Sequence, residues 1–123
     1  MKFRDEYICP LEFVHDALKG KWKPVIMYQI NYRGSASLSE LKKDIMGISQ
    51  KMLIQSLQEL RECGFLDKEN SDGYPLRVKY YLTDIGRRII DALEIFQEVG
   101  KMYLSTPFSV RQDIERSKPD TER

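Results

Sequence analysis

The sequence predicts a mostly helical α+β fold with a two-stranded hairpin placed ahead of one long terminal helix. Three observations carry this. Apolar residues recur at helical spacing in four successive segments before Cys63. After Gly64 the period changes to two, interrupted only by a stretch of turn formers that contains Asp72-Gly73. Thr83 then opens a last helically spaced run that reaches Leu104. Helix, helix, short helix, turn, helix, hairpin, long helix is the outline of a winged helix-turn-helix.

The first helix is expected over about 11–18, with Pro10 at or near its start and Leu11, Val14 and Leu18 on one stripe. Lys19-Gly20-Lys21 interrupts it. A second helix runs from about Pro24 to Ile30, where Pro24 is tolerated in the first turn and Ile26, Met27 and Ile30 form the apolar side. Asn31 to Ala36 reads as a connector. Ser37-Leu38-Ser39-Glu40 fits a capping box, in which a hydroxyl accepts from an orphan amide and a carboxylate three residues on reaches back. It opens a short helix to about Ile45. Met46-Gly47-Ile48 is a turn, and Ser49 offers a second N-cap to a longer helix that ends near Cys63 with Gly64 behind it. In that helix Leu53, Leu57 and Leu60 form the buried stripe, while Lys51, Gln55 and Gln58 fall on the opposite side.

The hairpin is expected from strands over 65–69 and 77–82, with Val78, Tyr80 and Leu82 on one face and Arg77 and Lys79 on the other. Asn70-Ser71-Asp72-Gly73-Tyr74-Pro75 forms its tip. The final helix, from Asp84 to about Leu104, counts Ile85, Ile89, Leu93, Phe96 and Met102 among its apolar positions. Residues 1–104 read as one domain and 105–123 as a polar tail prone to disorder, where Val110 and Ile114 are spaced for one weak helical turn.

A chain of 123 residues suits a single domain, and 41% apolar with 32% charged residues supports a packed core with a solvated surface. No apolar run approaches the roughly 20 residues of a membrane span, and no apolar segment follows the charged start, so no membrane partner or signal peptide is expected. Two cysteines, Cys9 and Cys63, do not make a disulfide framework, and a cytoplasmic setting is the default. Net charge is only +1, but from Lys19 to Lys51 the basic residues Lys19, Lys21, Lys23, Arg33, Lys42, Lys43 and Lys51 face only Glu40 and Asp44. Such local asymmetry builds the positive footprint that phosphates need.

A helix-turn-helix acts by presenting the first turns of its second helix to the major groove, where each base pair shows its own donor and acceptor pattern. Ser49, Gln50, Lys51 and Gln55 occupy those turns. Glutamine amides suit adenine, and lysine suits guanine or a phosphate. Lys42 and Lys43 add phosphate contacts, and Arg77 and Lys79 extend them along the hairpin, which is only modestly basic beside Asp67, Glu69 and Asp72. Double-stranded DNA is the expected partner. A solvated helix face is the competing reading of the same residues.

From Cys9 to about Gly100 the sequence resembles the HxlR-type transcription regulators, relatives of the MarR-like winged helices. The resemblance begins with Cys9-Pro10-Leu11-Glu12 and Lys19-Gly20-Lys21-Trp22-Lys23. It is most specific in Gly47-Ile48-Ser49-Gln50-Lys51-Met52-Leu53, and continues through Leu57-Gln58-Glu59-Leu60, Gly64-Phe65-Leu66, Arg77-Val78-Lys79-Tyr80-Tyr81-Leu82-Thr83 and Gly86. It implies a bacterial-type regulator that reads a roughly twofold-symmetric operator as a homodimer joined through its first and last helices. Leu38 stands where the family often has an aromatic residue, a difference of packing. Some members use a cysteine at the place of Cys9 to sense oxidants or electrophiles, while others keep the Cys-Pro pair with no evident sensing, and both roles stay open here. A helix N-terminus and nearby lysines would favour a reactive thiolate. Cys63, before Gly64, reads as a partly buried helix-end residue.

His15 has no companions at ligand spacing, so neither a metal nor another cofactor is expected. Trp22 reads as a core or interface anchor and the tyrosines as packing residues, with no small-molecule effector identified. No phosphate loop or nucleophile motif is present, which argues against an enzyme. The rival is a winged helix that binds another protein and no DNA. Equal numbers of basic residues (Lys42, Lys43, Lys51, Arg61, Lys68, Arg77, Lys79) and acidic ones (Glu40, Asp44, Glu59, Glu62, Asp67, Glu69, Asp72) from Gly34 to Leu82 keep that rival in play.

Overall fold

The computed structural model describes residues 6–73 and 77–104. In chain order the elements are α1 (Pro10–Ala17), α2 (Lys23–Arg33), β1 (Ser35–Ala36), α3 (Leu38–Asp44), α4 (Gln50–Glu62), β2 (Leu66–Asn70), β3 (Val78–Leu82) and α5 (Asp84–Leu104). The expected winged helix-turn-helix is present. Two compact units, Met1–Ile90 and Asp91–Arg123, divide within α5. The expected tip residues Tyr74 and Pro75 and the tail 105–123 lie outside the described residues.

One strand was not foreseen. Ser35 and Ala36 read as connector because two small residues carry no period, yet they pair antiparallel with Tyr81 and Tyr80. The hairpin is therefore two strands of a three-stranded sheet ordered β1-β3-β2. Its register sets Leu66 opposite Leu82 and Asn70 opposite Val78. β2 starts one residue later than expected. The Phe65 amide is already taken by the Leu60 carbonyl at 3.0 Å, and the Gly64 amide by Arg61 at 2.9 Å, the paired bonds of a Schellman cap on α4.

The core of the first unit is where the helical periods placed it. Ile26, Met27 and Ile30 of α2 and Leu53, Leu57 and Leu60 of α4 are buried, joined by Leu41, Ile45, Ile48, Phe65, Leu66 and Leu82. Thr83 ties the sheet to the last helix. Its hydroxyl donates to the Gly64 carbonyl at 2.6 Å and accepts from the Gly86 amide at 3.1 Å, which caps α5. Gly86 is itself buried, and a Cβ there would collide with the Phe65 carbonyl.

Two apolar stripes are largely exposed among the described residues. In α1 only Ala17 is buried, and Leu11 is exposed together with the preceding Ile8. In α5 only Gly86 and Ile90 are buried; the expected Ile89 and Leu93 are half-buried, and Ile85, Phe96 and Met102 are exposed. No helix among the described residues is long and apolar enough to cross a membrane.

Candidate nucleic-acid interface

The short helix α3 is built from its capping box. The Ser37 hydroxyl accepts from the Glu40 amide at 3.2 Å, and the Glu40 carboxylate accepts from the Ser37 amide at 2.9 Å. The turn to α4 passes through Gly47 at φ +87°, a left-handed conformation that a side chain would strain. The half-buried Trp22 ring lies beside this turn, 3.8 Å from where a Gly47 Cβ would sit, with the Lys21 ammonium 4.6 Å from its centroid. Ser49 then caps α4, its hydroxyl accepting from the Met52 amide at 3.0 Å. Both expected caps are thus made, Ser37 on α3 and Ser49 on α4.

Gln50, Lys51, Gln55 and Gln58 are exposed along α4, and Ser49 is exposed at its start. Lys42 and Lys43 are exposed at the end of α3 and, like Lys51, form no ion pair among the described residues. Three exposed ammonium groups and a row of amides therefore share the helix-turn-helix. Apolar side chains flank the row, with Met46 in the turn 90% exposed and Met52 and Ile54 40% and 45% exposed.

The remaining basic residues of the 19–51 stretch divide. Lys23, only 6% exposed, pairs with Glu59 of α4 at 3.1 Å, so it clamps α2 to α4 from inside. Arg33 donates to Glu40 at 2.8 Å and to Asp44, both through Nε and, at 3.0 Å, through Nη2. Gln29 adds a bond to Asp44 at 2.9 Å. Lys79, on β3, donates to Glu40 at 2.8 Å. Glu40 is thus the hub of a brace joining α2, α3 and the sheet. Hydrogen bonds from Lys79 and the Ser37 amide pull its carboxyl down to about 2. The Arg33 guanidinium holds Asp44 below the usual carboxylate range.

The sequence pointed to Glu40 as a cap and to Lys79 as a phosphate contact; their mutual bond spans 39 residues and no local pattern could announce it. Glu40 and Asp44, the two acids of this stretch, are thus both engaged by Arg33, Lys79 and Gln29. Arg77 is exposed at the end of β3, where its amide donates to the Ser71 hydroxyl at 2.9 Å.

Cys9 is exposed at the N-cap of α1. The Glu12 carboxylate reaches back over it, accepting from the amides of Ile8 at 2.5 Å and Cys9 at 3.2 Å. Cys63 is half-buried, and burial pushes its thiol up, which suits an inert helix-end residue. His15 is exposed, and no group of His, Cys, Asp and Glu that could hold a metal ion occurs among the described residues.

The sequence model of the HxlR-like helix-turn-helix family matches residues 17–107. An uncharacterized HTH-type transcriptional regulator from Methanothermobacter thermautotrophicus is 36% identical over 99 residues, 80% of this chain and 75% of its own length. Among solved structures, the redox regulator HypR in its reduced form is 30% identical with a TM-score of 0.72, covering 79% of this chain and 95% of that one. The reduced form of the transcriptional regulator YodB from B. subtilis is 25% identical with a TM-score of 0.69, over 80% and 97% of the two chains.

Proposed function

The chain belongs to the HxlR-like helix-turn-helix family, and from that premise we propose that it is a sequence-specific DNA-binding transcription regulator acting as a homodimer in the cytoplasm. The observation that carries this reading is the exposed row Gln50, Lys51, Gln55 and Gln58 beside the unpaired Lys42 and Lys43. Lys42, Lys43 and Lys51 neutralise phosphates and fix the register, while Ser49, Gln50 and Gln55 meet base edges. Arg77 extends the phosphate contacts along the hairpin; Lys79, already bonded to Glu40, ties β3 to α3. Exposed apolar residues on α1 and α5 support pairing of two copies. Two recognition helices then sit about 34 Å apart, one turn of DNA. No catalytic step belongs to this reading.

Exposed Cys9 at a helix start, together with the redox regulator among the similar structures, supports an oxidant or electrophile response through that thiol.

Binding of the purified protein to its own upstream DNA, titrated in salt with and without diamide, tests both parts. Specific binding is expected, and Lys51→Ala should weaken it on every sequence and reduce the salt slope by about 1. Specific binding that diamide abolishes in wild type, but not in Cys9→Ser, supports the sensor. A Cys9→Ser variant that keeps the response removes Cys9 from that role. Absence of any specific binding, including after random-sequence selection, would favour a protein partner docking on Met46, Met52 and Ile54.

A further inference from the structure

We propose that Ile54 is a specificity-determining residue that reads the 5-methyl group of one thymine in each operator half-site; the inference rests on the DNA-binding reading above. Ile54 lies in the second turn of α4, between the exposed Lys51 and Gln58, and is 45% exposed although it is fully apolar.

Its neighbours define which way it faces. Arg61 is seven residues on and therefore on the same stripe of the helix. Arg61 pairs with Asp67 of β2 at 3.5 Å, so this flank of α4 is turned toward the hairpin. On the other flank Glu59, seven residues after Met52, pairs with Lys23 of α2. Lys51, Gln55 and Gln58 thus form the crest of α4, with Ile54, like Gln50 four residues before it, on the hairpin side.

A helix with its side chains is about 10–12 Å across and the major groove about 12 Å wide, so a helix seated crest-first presses its flanks against the groove walls. The residue on the hairpin flank meets base edges close to a backbone. Among the groups that base pairs display in the major groove, the thymine methyl is the apolar one. It projects from the ring carbon nearest its own strand, where a flank residue arrives. Gln55 and Lys51 on the crest have hydrogen bonds to offer; Ile54 has only apolar surface, and the methyl is the group that rewards it.

The test uses full-length protein and the duplex enriched from a random-sequence pool. Each thymine is replaced in turn by deoxyuridine, symmetrically in both half-sites, and binding is measured for wild type, Ile54→Ala and Ile54→Val. The loss of one buried methyl corresponds to about fourfold per half-site and about fifteenfold for the symmetric pair. Wild type should show that loss at one thymine within the α4 footprint, Ile54→Val a smaller one, and Ile54→Ala none. An equal deoxyuridine penalty in wild type and Ile54→Ala, or no penalty at any thymine, overturns the contact while leaving DNA binding intact. A pool that enriches no sequence overturns the DNA-binding reading, and the contact with it.

Discussion

α4 and α5 are both amphipathic helices, and they end in opposite situations. α4, with 13 residues, turns Leu53, Ser56, Leu57 and Leu60 into the core and leaves amides and an ammonium outside. α5, with 21 residues, buries only Gly86 and Ile90, and exposes Ile95, Phe96, Val99, Met102 and Leu104. A helix in water draws most of its stability from packing its apolar face; α4 has that packing, and the outer turns of α5 expose theirs among the described residues. α4 needs a polar partner and α5 an apolar one. In the proposed assembly DNA would meet the first need and a second copy of the chain the second, with one twofold symmetry.

Damage to the apolar side should have opposite results in the two helices. Leu57→Ala empties a fully buried site and should cost about 2–5 kcal/mol of folding stability, read as a lowered midpoint in denaturant. A loss below about 1 kcal/mol would mean that α4 is not a core helix. Phe96, 71% exposed, should behave differently. Phe96→Asp should weaken self-association by roughly thirtyfold, the scale of an aromatic hot spot of about 2 kcal/mol, with little change in the far-UV signal of the whole chain. Sedimentation over a dilution series reads this directly. The wild-type melting temperature should also rise with concentration, and that dependence should fade in Phe96→Asp. A variant that sediments as wild type would place the dimer contact elsewhere or remove it.

The same contrast explains what the sequence disclosed. Periodicity told which face of α4 is apolar, and since that face is satisfied inside the chain, the prediction of Leu53, Leu57 and Leu60 as core was also a prediction of contacts. For α1 and α5 the identical signal marked Leu11, Ile85, Phe96 and Met102, yet here the apolar face is exposed. Periodicity reports that a face is apolar and is silent on what covers it. The caps at Ser37, Ser49 and Thr83 were legible because each acts within three residues of itself. The brace around Glu40 was not, because it joins residues 7 and 39 positions away. β1 was hidden for another reason: two small residues acquire strand geometry only from the neighbour, β3, that they pair with.

A smaller effect is expected from the brace that joins α2, α3 and the sheet. Glu40 titrates near 2 in the folded protein against an ordinary value of 4.5, so folding favours its ionised form. Its contribution is therefore complete above about pH 4.5 and disappears as pH falls toward 2. Stability measured between those values should decline in wild type, and Glu40→Gln should flatten part of that decline. The flattening should be modest, because the carboxylate is partly exposed and salt screens it. Raising salt at pH 6 should shrink the gap between wild type and Glu40→Gln, since glutamine keeps a carbonyl oxygen to accept from the Ser37 amide and loses only the charge that faces Lys79 and Arg33. If Glu40→Gln instead leaves the acid limb unchanged, other carboxylates carry the acid sensitivity, Asp44 first among them because Arg33 holds it low in the same brace.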